Sequence, residues 1–297
     1  MPEKKSAWTG YGSVVLAAFL WAMSGNAAKV LFNHGLSPIQ LVQLRTTISA
    51  AVLFLWLFFY RRNLLKLEQK HLRYFLVLGI VLSVTQFTYL YAISRIAVAA
   101  AILLQYQAPV LIALYAVIMN KKRLSFLTSL AIAGAVLGCY LMVGAYNLNI
   151  LSMNRAGILS GLASAVAFAW YAVKSEDGMR THAPWTILSY ALIVAAVVWN
   201  ALQPPLGAFM GGYSLSLWGL ILFMVLFGTV LPFGLYNEGI KRINATHASI
   251  TATLEPVMAG VISYVYLGEV MEVWQIIGAA LVLAAILLLQ LQKKGRT

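Results

Sequence analysis

Ten long apolar stretches dominate this chain and limit what it can fold into. The sequence is 62% hydrophobic and only 10% charged. Each stretch has the roughly 20 residues that a helix needs to cross a hydrocarbon core about 30 Å thick. Barrel strands are shorter and alternate in polarity, so helices are the spanning element that fits. The stretches cover residues 11–33, 38–60, 73–94, 97–119, 125–146, 156–175, 184–203, 215–239, 246–267 and 272–291. We therefore predict an all-α integral membrane protein with ten transmembrane helices.

The second half of the chain repeats the first. A shift of 147 positions gives seven identities within residues 89–110, among them Tyr89 on Tyr236 and Pro109 on Pro256. We predict two five-helix repeats, residues 8–147 and 155–291. Because five is odd, the second repeat enters the membrane inverted, and inverted repeats build alternating-access carriers. The first stretch matches the sixth, so we expect it to be retained rather than cleaved as a signal peptide.

The basic residues predict the orientation. If both termini lie on one side, that side carries 17 of the 21 Lys and Arg, while Arg95 and Arg155 lie opposite and Lys29 and Arg45 lie within spans. This bias predicts a multi-pass protein of the cytoplasmic membrane with both termini in the cytoplasm. The net charge of +13 therefore reflects topology. It does not indicate nucleic-acid binding, because the basic residues form no single patch.

Several residues match a known family. The pattern comprises Gly12 to Trp21, Gly161 to Trp170, Pro38 to Arg45, Tyr89-x-x-Ala92 with Pro109, Tyr236-x-x-Gly239, Leu254-Glu255-Pro256-Val257, Leu267-Gly268-Glu269 and Gly278. With it, the chain resembles the drug/metabolite transporter superfamily, in particular its ten-helix exporters with two EamA-like repeats. The resemblance implies a central cavity lined by helices one, three and four of each repeat. Its members carry amino acids, other metabolites, sugars, nucleotide-sugars or drugs. Repeat one departs from the family at Asn120-Lys121-Lys122, where a Gly-Glu pair is usual.

Glu255 is the main candidate for substrate binding and ion coupling. It lies about nine residues into the ninth stretch, roughly 13 Å along a helix and close to the midplane. A charged group at this depth is costly and needs a reason. Pro256 follows it and frees a backbone carbonyl one turn earlier. The carboxylate can bind a substrate ammonium or carry a coupling proton, and the alternative is a structural hydrogen-bond acceptor.

Polar and aromatic residues of both repeats are further substrate-binding candidates. Gln105 and Gln107 flank the repeat mate of Glu255, but they point about 200° apart, so only one of them can face the cavity squarely. Gln86 shares a helical face with Tyr89. The alternative for each amide is a bond between helices, and for each ring it is core packing. The aromatic candidates are Trp21, Trp170, Tyr89 and Tyr236. For Arg45 we expect a structural pair or a bond to a carbonyl.

The main functional hypothesis is a secondary transporter that moves a small metabolite, such as an amino acid, outward by alternating access. Proton coupling and facilitated diffusion both remain open. We expect no cofactor and no metal, because no helix-spaced histidine pair and no phosphate-binding loop occurs. An intramembrane enzyme or a scaffold or sensor are the alternatives, and we expect no enzymatic activity. The small residues Gly134, Gly138 and Gly278 either seal the bundle or form a homodimer face.

Overall fold

The computed structural model describes residues 2–24, 26–119, 121, 123–149, 153–267 and 271–294. All regular structure in these residues is helical. The helices of the first half are α1 Pro2–Ser24, α2 Ala27–Asn33, α3 Pro38–Tyr60, α4 Leu72–Arg95, α5 Val98–Gln105, α6 Ala108–Ile118 and α7 Phe126–Met142. Those of the second half are α8 Arg155–Gly178, α9 Pro184–Leu202, α10 Leu215–Val225, α11 Leu231–Ile243, α12 Ala245–Ala252, α13 Leu254–Leu267 and α14 Val273–Lys294.

Within the described residues, seven helical segments are long and apolar enough to cross a membrane. These are Ala7–Asn33, Pro38–Tyr60, Gln69–Arg95, Val98–Ile118, Arg155–Gly178, Pro184–Leu202 and Leu215–Ile243. Phe126–Met142 and Val273–Leu289 are shorter apolar helices. The prediction of an all-α, multi-pass membrane protein is confirmed. Two parts of the family pattern, Asn120 with Lys122 and Gly268 with Glu269, lie outside the described residues.

Prolines account for three interruptions that the sequence analysis treated as continuous spans. Pro109 and Pro256 lie in the first turn after the breaks between α5 and α6 and between α12 and α13. Pro232 follows a π-helical turn, Leu226–Val230, that joins α10 to α11. Proline has no N–H, so the carbonyl four residues earlier loses its helical donor. The freed carbonyls at these sites belong to Gln105, Gly228 and Ala252, and all three residues line the same cavity.

The helices of one half pack mainly on helices of the other. α4 packs on α8 and α9, while α1 packs on α11 and α3 packs on α10. α5 and α6 contact α8, while α12 and α13 contact α1. Each of these contacts therefore has a counterpart in which the halves exchange roles.

Glycines bring the backbones of α7 and α14 close together. A Cβ at Gly278 would lie 2.7 Å from the carbonyl oxygen of Gly138, and one at Gly138 would lie 2.8 Å from that of Gly278. Such distances leave room for hydrogen only, as in other tightly packed membrane helices. The glycines expected either to seal the bundle or to form a dimer face therefore face one another inside this chain.

Candidate functional site

A cavity lies at the interface between the two halves. Its empty volume is about 700 Å³, counting the open mouth. Its lining residues are Trp21, Ser24, Ala28, Arg45, Thr85, Gln86, Tyr89, Leu90, Ile93, Gln105, Tyr106, Phe168, Met224, Gly228, Phe233, Ala252 and Glu255. They come from the six spans that the family resemblance implies, together with α3, which contributes Arg45.

Glu255 faces this cavity from the start of α13. Its side chain is only 8% exposed, and the Tyr106 hydroxyl lies 2.6 Å from its Oε2 atom. The same hydroxyl lies 2.9 Å from the carbonyl oxygen of Ala252, which is the carbonyl that Pro256 frees. That carbonyl, expected from the sequence to be available to a ligand, is thus already within reach of a tyrosine donor.

Tyr106 can satisfy either protonation state of Glu255. A phenol has one proton to donate and can also accept. When Glu255 is ionised, Tyr106 donates to the carboxylate. When Glu255 is protonated, its O–H donates to the Tyr106 oxygen, and Tyr106 donates to the Ala252 carbonyl. The geometry therefore suits a carboxyl group that gains and loses a proton.

Gln86, Tyr89 and Gln105 form the polar part of the cavity wall on α4 and α5. Gln86 is 3% exposed, and neither its Nε2 nor its Oε1 atom has a hydrogen-bond partner. A buried amide without partners costs about 1–3 kcal/mol. A polar ligand in the cavity would satisfy this amide.

Aromatic rings close the opposite wall. The Trp21 ring lies edge-on to Phe168 at 6.2 Å and to Phe233 at 5.3 Å between centroids. Tyr236 packs behind them, stacked on Phe168 at 5.3 Å. It is fully buried, and it is not among the residues that line the cavity. Trp21 therefore lies where the sequence analysis expected a cavity wall, and Tyr236 supports this wall from behind.

Two candidates lie away from the cavity. Trp170 is 39% exposed on the outer face of α8, two residues and about 200° from Phe168. Gln107 donates from Nε2 to the carbonyl of Leu103 at 3.2 Å and lines a separate, mostly apolar groove beside α7. Gln105, pointing the other way, is the amide that reaches the cavity.

The 147-residue register identifies cavity residues that the sequence analysis missed. Applied to the first helix of each half, it pairs Trp21 with Phe168 instead of Trp170. It also pairs Gln86 with Phe233 and Gln105 with Ala252. All three pairs line the cavity. Pairing Trp21 with Trp170 requires a shift of 149, and two extra residues turn the side chain to a different helical face.

Arg45 is the second charged residue of the cavity. It is 6% exposed, and its Nε donates to the Thr229 hydroxyl at 2.5 Å while Nη2 donates to the Gly228 carbonyl at 2.6 Å. This Gly228 carbonyl is the one that Pro232 leaves without its helical donor. The expected carbonyl bond is present, but the sequence analysis did not predict that Arg45 would also face the cavity.

Known proteins similar to this chain agree with this architecture. The model of the EamA-like transporter family matches residues 8–144 and again residues 155–291. An uncharacterised transporter of Archaeoglobus fulgidus is 33% identical over 201 residues, 68% of this chain and 70% of that one. The threonine/homoserine exporter RhtA of Escherichia coli is 22% identical, covering 92% of this chain and 88% of its own length. One protein of known crystal structure has the same fold, with a TM-score of 0.76 and 19% identity over 97% of both chains. The chain is a membrane protein and belongs to the EamA-like transporter family.

Proposed function

We propose that the protein is a secondary transporter of the cytoplasmic membrane that exports a small polar metabolite by alternating access. One observation carries this proposal. The cavity lies between the two halves and is lined by repeat mates, as expected where two inverted repeats enclose a substrate at the midplane. The similarity to RhtA, a threonine/homoserine exporter, supports the outward direction.

Two inverted repeats of five spans, residues 8–147 and 155–291, are part of this proposal. The reciprocal packing of α4 on α8 and of α1 on α11 supports it. The breaks within the fourth and ninth spans support it further, because Tyr106 and Thr253 are 147 positions apart. Helix α7, α14 and the pair α12 and α13 complete the ten spans. Exchange of the two repeat conformations would then move the opening from one side to the other.

At the end of the bundle that carries the N-terminus, Tyr11 of the first half and His247 of the second half are hydrogen-bonded at 2.7 Å, which supports closure of the cavity at that end. The cavity instead extends toward Ala28 and Ile93, near the opposite ends of their spans. With both termini in the cytoplasm, as the charge bias predicts, the cavity faces outward.

Proton coupling through Glu255 is the energy source that we propose. The pair of Tyr106 bonds supports it, because both the ionised and the neutral carboxyl group keep a hydrogen-bond partner. A proton and a substrate ammonium would compete for the same carboxylate. A proton bound to Glu255 would therefore exclude the substrate from the site. Protons would move inward and substrate outward in alternation, so the proton gradient would drive export.

Flux through purified protein in liposomes tests the proposal. A panel of radiolabelled metabolites is assayed with and without a proton gradient, first for the native protein and then for Gln105→Trp, which fills the cavity. The matched control is Gln107→Trp, two residues away and outside the cavity. We expect flux in the native protein and the control and loss of flux in Gln105→Trp. Equal flux in both variants, or no flux for any panel member with well-folded protein, would reject the proposal.

A further inference from the structure

Arg45 lines the cavity with N–H donors that have no hydrogen-bond partner among the described residues. Its guanidinium group has five N–H donors, and the structure gives it two partners, Thr229 and Gly228. Nη1 forms no hydrogen bond with any described residue. Both partners are neutral, and no described carboxylate forms a salt bridge with Arg45. The guanidinium group is therefore held in place by neutral partners and its charge is not neutralised, although only 6% of Arg45 is exposed.

Glu255 is the matching, incompletely paired anion. Oε2 is within reach of Tyr106, whereas Oε1 has no partner among the described residues. Tyr89 lines the same cavity as the two charges and is close enough to interact electrostatically with both Arg45 and Glu255. Arg45 and Glu255 form no salt bridge with each other. The cavity thus holds two fixed, opposite charges that are kept apart.

Two separated charges of opposite sign favour a ligand with the complementary pair. A guanidinium fork matches the two oxygens of a carboxylate, and a carboxylate oxygen matches an ammonium. An anion alone would leave Glu255 unpaired, and a cation alone would leave Arg45 unpaired, at the cost that an isolated buried charge carries. A zwitterion satisfies both without adding net charge to the membrane interior.

We infer that the substrate of the proposed transport function, on which this step rests, is a zwitterionic α-amino acid with an uncharged side chain. Its carboxylate binds Arg45, and its ammonium group binds Glu255. The orphaned Gln86 amide lies on the same wall and can bond either group. The substrate's side chain packs on the Trp21 and Phe168 rings. It is uncharged, because the described lining holds no third acidic or basic residue that would pair with a charged side chain.

Matched ligands test this assignment on the native protein. Purified protein in detergent is titrated with L-threonine, L-valine, L-leucine and L-phenylalanine, and then with the amide and the N-acetyl form of the best binder. The amide lacks the carboxylate, and the N-acetyl form lacks the ammonium group. We expect measurable binding of at least one amino acid and at least tenfold weaker binding of both derivatives. An amide that binds as tightly as its parent amino acid would overturn the assignment, and this comparison needs no variant.

Arg45→Gln then locates the carboxylate site. We expect it to bind the amino acid about as weakly as the native protein binds the amide, so that the distinction between acid and amide disappears. The distinction between the amino acid and its N-acetyl form should persist. Arg155→Gln, at the exposed start of α8, is the matched control and should bind like the native protein. An unchanged preference for acid over amide in Arg45→Gln would overturn the role of Arg45.

The two proposals can fail separately. If no amino acid binds, but liposomes carry another solute in a way that Gln105→Trp abolishes, transport through the cavity stands and the zwitterion assignment is wrong. If no solute crosses at all, both are wrong. Amino-acid flux that is lost in Arg45→Gln and retained in Arg155→Gln supports both.

Discussion

The two halves of the bundle pack alike but line the cavity differently. The first half contributes Gln86 and Gln105, and at the equivalent positions the second half has Phe233 and Ala252. The acidic group reverses this bias, since Glu255 lies in the second half and its repeat mate is Ala108. Equivalent packing suits a molecule that exchanges two conformations. In the transport that we propose, unequal lining would suit a substrate that binds in one orientation, so the shared packing would serve the movement and the unequal lining would serve recognition.

Removing the single acidic group should have the largest effect on this comparison. Glu255→Gln keeps the shape and a hydrogen-bonding oxygen but cannot ionise. We expect it to abolish pH-dependent flux in liposomes while the protein still folds and inserts. Glu272→Gln, at the exposed partner of Tyr146, is the matched control and should keep the pH dependence. If Glu255 is only a structural acceptor, its variant should lose on the order of 1 kcal/mol of stability and transport normally.

A substitution at the contact of α7 with α14 tests whether this contact stabilises the packing of the two halves. Gly278→Ala would place a methyl group 2.7 Å from the Gly138 carbonyl oxygen. We expect a loss of about 1–3 kcal/mol, typical of overpacking, measured as a lower melting temperature in detergent. Gly219→Ala is the control, because its Cβ would meet nothing within 4 Å. Equal melting temperatures for the two variants would show that this approach does not hold the halves together.

Exchanging the lining of one half sharpens the comparison further. Gln86→Leu removes a buried amide without partners and keeps a similar volume, so we expect a neutral or slightly raised melting temperature. We also expect a higher KM for transport, because the amide is lost to the substrate. Phe233→Leu, at the repeat mate, should instead lower the melting temperature through lost packing on Trp21. A destabilised Gln86→Leu with an unchanged KM would mean that Gln86 serves the fold.

Most of the fold could be predicted from the sequence, because apolar length and charge bias act through the membrane itself. The interruptions were harder to foresee, since a proline allows a continuous kinked helix or a break, and the partner of the freed carbonyl decides which occurs. Ala252 and Tyr106 show this most clearly. Depth within the span and the repeat alignment predicted three of the cavity residues, Glu255, Gln105 and Trp21. Arg45 was not assigned to the cavity, because its orientation depends on Gly228, which is 183 residues away in sequence.

The smallest expected effect concerns a contact between the halves at the end of the bundle that carries the N-terminus. The His71 and His182 rings meet edge-on at 4.6 Å, and Glu68 and Lys70 lie nearby. Burial lowers the pKa of His182, with His71 and Lys70 lowering it further and Glu68 and the Gly178 backbone opposing this. The unfolded chain therefore binds this proton more readily. Stability should be unaffected above the ordinary histidine pKa of about 6.5 and should fall slightly as the pH drops below it.

His182→Gln checks that small effect. We expect the acid-dependent part of the melting-temperature decrease to shrink in this variant, measured in detergent across the histidine range. His34→Gln is a suitable control, because His34 lies in an exposed turn and bonds only the Val30 carbonyl. An identical acid response in native protein and in both variants would remove His182 as a titrating contact.

Alternating access of the cavity is tested most directly at Ser24. Ser24 lines the cavity, and Ser24→Cys changes one atom. It is introduced with Cys139→Ala, which removes the single native cysteine. Labelling by a membrane-impermeant thiol reagent is then measured in right-side-out and inside-out vesicles, with and without a transported substrate. The native protein, whose Cys139 is fully buried, serves as the unlabelled control.

We predict labelling of Ser24→Cys from the outside in the absence of substrate. During transport, labelling from the inside should appear while labelling from the outside decreases, because the same cavity turns from one face to the other. Labelling from both sides that substrate does not change would indicate a fixed pore. Labelling from neither side would mean that the cavity is not the transport pathway, and either result would contradict the account.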